Sequence, residues 1–185
     1  ARDFQSRGDI EIVILRLPWF YGPRQPARQS LFFRMVREGH APLVGSGENR
    51  RSMAYIDNIC DALLLAAGAK SAGGRTYWIA DARPYSFNEI LSTIEEVLRD
   101  DFGLAVTGRR LRLPGFIGPL AWAADRLIQG AGFYQQKVHV LSEMDKEIAC
   151  SVEAARRELG YEPKIALREG MHRSIAWCID NGVLI

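Results

Sequence analysis

The sequence has few cysteines, little net charge and no long apolar run. Its three cysteines are far apart and form no C-x-x-C pair, so neither a disulfide framework nor a zinc site is predicted. A net charge of +2 is too small for the clustered basic surface of a nucleic-acid-binding protein. The longest nearly uncharged stretch, residues 113–124, is too short to span a bilayer. We therefore expect a cytoplasmic protein with no nucleic-acid partner and no metal site.

Short apolar runs indicate strands in the first half of the chain. Residues 10–15, IEIVIL, form a nearly continuous β-branched and aliphatic run, which is typical of an interior strand covered on both faces. Residues 53–56 and 76–80 predict two further strands. Because helical patterns separate these runs, we predict an α/β fold with a mixed small sheet.

The helices are predicted from apolar spacing and from their end signals. Ser86 to Glu89, SFNE, is a capping box, and Asp57 or Asn58 is the predicted cap of an earlier helix. Gly39 is expected to end the helix before it. The remaining helices are predicted at residues 30–38, 116–128, 151–160 and 165–181.

Two motifs occur in a fixed order in the first third of the chain. Residues 15–23 read LRLPWFYGP, and GSG at 45–47 is followed by RSMAYIDNICDA at 51–62. They resemble two signatures of the extended short-chain dehydrogenases, L-R-P-x-x-x-Y-G-P and G-x-G with an Arg before Y-V-D-D-V-A-x-A. LGYEP at 159–163 resembles that family's L-G-Y-x-P. The chain is thus similar to the NAD-dependent epimerase/dehydratase family, which implies part of a Rossmann-like fold with substrate-binding helices.

The resemblance implies positions for a cofactor and a substrate. By position, Leu17, Pro18 and Phe20 would line the nicotinamide pocket of NAD or NADP, and Trp19 would face the substrate. Arg51 stands where nucleotide-sugar members grip the pyrophosphate, a task suited to a bidentate guanidinium. The structural alternatives are that residues 18–20 are only a packed strand end and that Arg51 is only a surface arginine.

The family's catalytic and dinucleotide-binding motifs do not occur in the sequence. A Tyr and a Lys spaced Y-x-x-x-K carry its proton transfer, whereas Tyr134 with Lys137 and Tyr161 with Lys164 are one residue too close. No G-x-x-G-x-x-G follows an apolar strand. We therefore assign no catalytic residue, and we expect residues 1–185 to be the C-terminal substrate-binding portion of a longer enzyme, without its dinucleotide-binding half.

The substrate class stays open at this point. Residues 141–148 lack the second arginine of the nucleotide-sugar enzymes, and residues 116–128 resemble the apolar insertion of 3β-hydroxysteroid dehydrogenase-like members. The parent is thus an oxidoreductase or epimerase acting on a hydroxyl or carbonyl carbon of a nucleotide sugar or an apolar sterol-like molecule. The alternative is a non-catalytic binding module derived from the same fold. A homo-oligomer is expected, and packing of residues 116–128 on the protein itself or on a partner chain is favoured over contact with a membrane.

Overall fold

The computed structural model describes residues 10–185, except for the side chains of residues 136 and 137. Its strands are short and are separated by helices. The strands are β1 (Ile14–Arg16), β2 (Trp19–Tyr21), β3 (Pro42–Val44), β4 (Arg50–Arg51), β5 (Met53–Tyr55), β6 (Thr76–Trp78), β7 (Tyr85–Ser86) and β8 (Leu111–Leu113). The helices are α1 (Ala27–Glu38), α2 (Ile56–Gly68), α3 (Phe87–Glu96), α4 (Ile117–Gly130), α5 (Gln136–Glu143), α6 (Glu153–Leu159) and α7 (Leu167–Asp180). A π-helical turn, Val97–Asp101, extends α3, and a 3-10 turn, Lys70–Ala72, follows α2.

The strands pair across long sequence separations. β1 pairs with β6, β2 with β5 and β3 with β8, all in parallel, while β4 and β7 are antiparallel. Parallel neighbours need a crossover, and helices α1 to α3 lie in those crossovers. The prediction of an α/β fold with a mixed small sheet is confirmed.

The strand predicted at residues 10–15 forms only in part. β1 begins at Ile14, and Ile10 is 57% exposed. Glu11 is also exposed and residues 12–15 are half-buried, and within the described range β1 has one neighbouring strand, β6. The expectation of an interior strand covered on both faces is therefore wrong for this part of the chain.

Helix ends follow the predicted signals at some positions and depart from them at others. Gly39 ends α1 with a left-handed φ of 78°, and the Ser86 hydroxyl accepts the Glu89 N–H at 3.0 Å. Neither Asp57 nor Asn58 caps α2, because β5 runs directly into the helix and Tyr55 is its N-cap residue. That prediction was wrong.

Two apolar clusters hold the fold together. The larger cluster is buried among α1, α3, α7 and strands β2, β3 and β5, and the smaller lies under α2, β6 and α6. By contrast α4 packs mainly on α5, and its Leu120 and Leu127 are 66% and 76% exposed. No helix in residues 10–185 has both the length and the apolar character needed to cross a membrane.

Candidate functional site

The predicted cofactor residues lie at the carboxyl end of β1. Leu17 and Pro18 connect β1 to β2, and Phe20 is the middle residue of β2. The side chains of Leu17 and Phe20 are 39% and 42% exposed, while Pro18 is half-buried. Open α/β sheets bind ligands at this end of their strands. The three residues thus form an accessible apolar edge.

A chain of aromatic rings connects the two predicted substrate residues. The ring of Trp19 lies 5.5 Å from that of Phe32, and Phe32 lies 6.3 Å from Phe87, measured between centroids. The Arg51 guanidinium lies 5.7 Å above the ring of Phe87. Trp19, Phe32, Phe87 and Arg51 are therefore contiguous, and we call the three rings the aromatic wall.

Arg51 is half-buried and is already engaged by the protein. Its Nη2 donates a short hydrogen bond to the backbone carbonyl of Glu143, and its Nε is buried without a partner among the described residues. Burial lowers the pKa of the guanidinium, and the nearby carboxylates of Glu143 and Asp145 oppose that shift. Arg51 therefore has acidic neighbours and little contact with solvent.

Residues 143–148 form the cover over Arg51. Ile148 donates its N–H to the Arg50 carbonyl at 2.9 Å and accepts the Ser52 N–H at 2.9 Å. The Glu147 carboxylate binds both the backbone N–H and the Nε of Arg50. This segment is thus held along β4 by backbone bonds and one ion pair.

A buried polar cluster lies below β2 and β5. Asp81 accepts hydrogen bonds from the Tyr21 phenol, the Tyr55 backbone N–H and the Asn58 amide. Burial raises the pKa of Asp81, although these three donors favour its charged form. Asn58 also binds the backbone of Ile165, so the cluster joins β2, β5 and the loop before α7.

Some of these residues were not predicted from the sequence. Phe32 was part of the apolar stripe of α1, and Phe87 stood inside the capping box, so neither was assigned to a site. Gln25 and Gln29 were not assigned to a site either. Both line a small pocket next to Trp19. A single glutamine gives no signal of its own, either before a helix, as Gln25 is, or within one, as Gln29 is. Only the fold brings these side chains next to β2.

Comparisons with known proteins agree with this architecture. Residues 1–80 match the model of the NAD dependent epimerase/dehydratase family. The chain is 56% identical over 173 residues to the uncharacterized protein y4nL of Sinorhizobium fredii, covering 94% of this chain and 49% of that protein. It is 27% identical to 3beta-hydroxysteroid-dehydrogenase/decarboxylase isoform 1 of Arabidopsis thaliana, covering 92% of this chain and 41% of that protein.

The solved structures share the fold. UDP-glucose 4-epimerase of Thermotoga maritima matches with a TM-score of 0.67 at 21% identity, covering 97% of this chain and 50% of that chain. The chain thus spans about half the length of the relatives it matches. By its match over residues 1–80 and by these relatives, the chain is similar to the NAD dependent epimerase/dehydratase family.

Proposed function

We propose that this chain forms the substrate-binding portion of an NAD(P)-dependent enzyme that acts on a hydroxyl or carbonyl carbon of an apolar small molecule. The observation that carries the proposal is the engagement of Arg51 beneath residues 143–148, next to an aromatic wall. Trp19 and Phe32 are half-buried and offer apolar contact area to a ligand, whereas Phe87 is 3% exposed and belongs to the core.

The surroundings of Arg51 disfavour an anionic substrate. A pyrophosphate would have to displace the Glu143 carbonyl and would approach the carboxylates of Glu143 and Asp145. Like charges repel strongly where water is excluded. We therefore propose that Arg51 supports the aromatic wall by packing on the ring of Phe87 instead of gripping a phosphate.

The named relatives include enzymes whose printed substrates are largely hydrocarbon, although an alkanoate also carries one carboxylate. Besides the Arabidopsis protein, 2-alkyl-3-oxoalkanoate reductase of Stenotrophomonas maltophilia is 28% identical over 174 residues. The nucleotide-sugar enzymes appear among the structural neighbours at 21% identity or less, which bears on the fold alone. The relatives therefore favour a largely hydrocarbon substrate over a nucleotide sugar.

The exposed edge of Leu17, Pro18 and Phe20 is chemically suited to a flat ring such as nicotinamide. An apolar surface at a strand end excludes water from such a ring and leaves the polar groups of a cofactor to other residues. When bound, NAD or NADP would accept or donate a hydride. These three side chains would position the ring, and the proton-transfer pair is not in this sequence.

A binding experiment separates the two substrate classes. Titrating the protein calorimetrically with dehydroepiandrosterone and with UDP-glucose should give heat of binding for the steroid only. Trp19→Ala should weaken steroid binding about tenfold, equivalent to about 1.4 kcal/mol, whereas Arg51→Met should change it much less. Binding of UDP-glucose that Arg51→Met abolishes, or binding of neither ligand, would contradict the proposal.

A homo-oligomer is also proposed, because large apolar side chains of α2 and α4 lie at the surface. Leu64 is 74% exposed and Leu127 is 76% exposed, and exposed apolar patches often mark protein contacts. Sedimentation showing only monomers at high protein concentration would oppose this proposal.

A further inference from the structure

Asn49 joins the cover, residues 143–148, to the turn before β4. Its Nδ2 donates to the backbone carbonyls of Met144 at 2.9 Å and of Lys146 at 3.2 Å. An amide nitrogen carries two hydrogens, so one side chain can satisfy both carbonyls. Asn49 therefore holds the first part of the cover, whereas the backbone bonds of Ile148 to β4 hold its end.

The turn that carries Asn49 is bonded to the start of α3. The Asn49 carbonyl accepts the Phe87 N–H at 3.1 Å. In the other direction, the Asn88 side chain donates to the Ser46 carbonyl at 2.9 Å. Asn49 is thus anchored next to Phe87, on whose ring the Arg51 guanidinium lies.

An ion pair shielded from solvent supports the same turn. The Arg110 guanidinium donates to the Asn88 Oδ1 at 3.1 Å and to the Glu95 carboxylate at 3.1 and 3.0 Å. The side chains of Arg110 and Glu95 are 17% and 10% exposed, so salt screens their attraction little. Because Arg110 orients the Asn88 amide, which in turn holds the turn, Asn49 has a firm base from which to hold the cover.

The cover engages Arg51 with the kinds of group that a polyanionic ligand would present. Its sequence, EMDKEI, contains three carboxylates and one lysine. The Arg51 guanidinium donates to the Glu143 backbone carbonyl. Burial lowers the pKa of Arg51, and the carboxylates of Glu143 and Asp145 act against that shift, so negative charge already faces the guanidinium. A pyrophosphate could reach Arg51 only if residues 143–146 moved away, because like charges repel strongly in such a site.

We propose that Asn49 is a specificity-determining residue, which keeps phosphate-bearing ligands from Arg51 by holding the cover over it. This inference rests on the proposed function, since it takes the bound ligand to be a largely hydrocarbon molecule on Trp19 and Phe32. Without the Asn49 amide, the carbonyls of residues 144 and 146 lose their donor and the first part of the cover is released. The exposed guanidinium is then an anion-binding site, because its planar fork of donors matches a phosphate group.

The test uses inorganic pyrophosphate as the probe and titration calorimetry as the measurement. Asn49→Ala should bind pyrophosphate at least about tenfold more tightly than the wild type, which is the size of effect that one charge-assisted contact gives. Arg51→Met added to Asn49→Ala should abolish the gain. The matched control is Asn181→Ala, which removes another amide that donates to a backbone carbonyl, at the end of α7, and it should bind like the wild type. Equal affinities of the wild type and Asn49→Ala, or a gain that survives Arg51→Met, would overturn the proposal.

A second variant decides the question even if Asn49→Ala folds poorly. Glu143→Gln combined with Asp145→Asn removes two carboxylates with almost no change in side-chain size, and it should also strengthen pyrophosphate binding. Lack of any gain in this variant would refute the shielding of Arg51 by the cover. In Asn49→Ala, amide hydrogen exchange at Lys146, whose N–H binds the Glu143 carbonyl at 3.2 Å, should become faster, while exchange within α7 stays at the wild-type rate.

The inference and the proposed function can fail separately. If dehydroepiandrosterone does not bind in the earlier titration, the proposed function is refuted. Pyrophosphate binding that is the same in the wild type and in Asn49→Ala refutes only the role of Asn49. Gain of pyrophosphate binding together with steroid binding by the wild type supports both.

Discussion

The phenol of Tyr21 donates a hydrogen bond to the carboxylate of Asp81 at 2.9 Å, and both side chains are buried. The bond joins β2, which carries Trp19, to the segment that follows β6. The second oxygen of Asp81 accepts the Tyr55 N–H and the Asn58 amide, each at 3.0 Å. One carboxylate therefore satisfies three donors from separate parts of the chain and holds the underside of the candidate site.

Removing that carboxylate should destabilise the whole domain. Asp81→Ala leaves three buried donors without an acceptor, so we expect a loss of about 3 kcal/mol or more in the free energy of unfolding. Asp81→Asn should cost less, because its amide oxygen still accepts from Tyr55 and Asn58. Urea unfolding followed by circular dichroism measures both. An Asp81→Ala protein that unfolds at the same urea concentration as the wild type would refute this role.

The same carboxylate should make stability depend on pH. Burial raises the pKa of Asp81 above its ordinary value of 3.8, so between 3.8 and the raised pKa the folded state binds more protons than the unfolded state. Stability should therefore decline as pH rises through that window, and it should recover as pH falls. Asp81→Asn has no proton to lose at this position. The wild-type protein should therefore lose free energy of unfolding relative to Asp81→Asn as pH rises through this window.

Asp101 should show the opposite pH dependence. Hydrogen bonds from Arg168 and His172 lower its pKa, and the ring of His172 stacks on Phe102 at 5.1 Å. Its contribution to stability should be present above the ordinary pKa near 3.8 and lost as pH falls through the lowered pKa. Asp101→Asn should thus destabilise the protein at pH 7 and cease to do so in strong acid. A constant difference across this range, measured by urea unfolding, would count against the pairing.

The sequence predicted local structure better than long-range contacts. The capping box at Ser86 and the end of α1 at Gly39 were correct because both depend on a few neighbouring residues. The cap at Asp57 or Asn58 was wrong because tertiary partners take both side chains. Asp57 binds Arg173, and Asn58 binds Asp81 and the loop before α7.

In the candidate site, too, sequence motifs identified single residues but not the contacts between distant parts of the chain. Trp19 and Arg51 could be placed by motif, but the rings between them come from α1 and α3, and nothing in a single sequence pairs Phe32 with Phe87. The cover over Arg51 is also separated from it by about ninety residues of chain, as the bond to Glu143 shows. Contacts of this kind follow from packing, which periodicity and capping signals do not encode.

Gly118 lies directly against the cover over Arg51. It lies in the first turn of α4, and a Cβ added there would overlap the carboxylate of Asp145. Gly118→Ala should therefore push residues 143–148 away from β4 and cost about 1–3 kcal/mol of stability. Amide hydrogen exchange at Ile148, whose N–H binds the Arg50 carbonyl, should become faster.

The last residue of the same helix provides a matched control for Gly118. Nothing lies within 4 Å of a Cβ added at Gly130, and no left-handed φ restricts it. Gly130→Ala should therefore leave stability unchanged or raise it by up to about 1 kcal/mol, since alanine loses less backbone entropy than glycine. Exchange at Ile148 should stay at the wild-type rate in this variant. If the two alanine variants unfolded alike, helix propensity alone would account for Gly118, and its contact with Asp145 would not hold the cover in place.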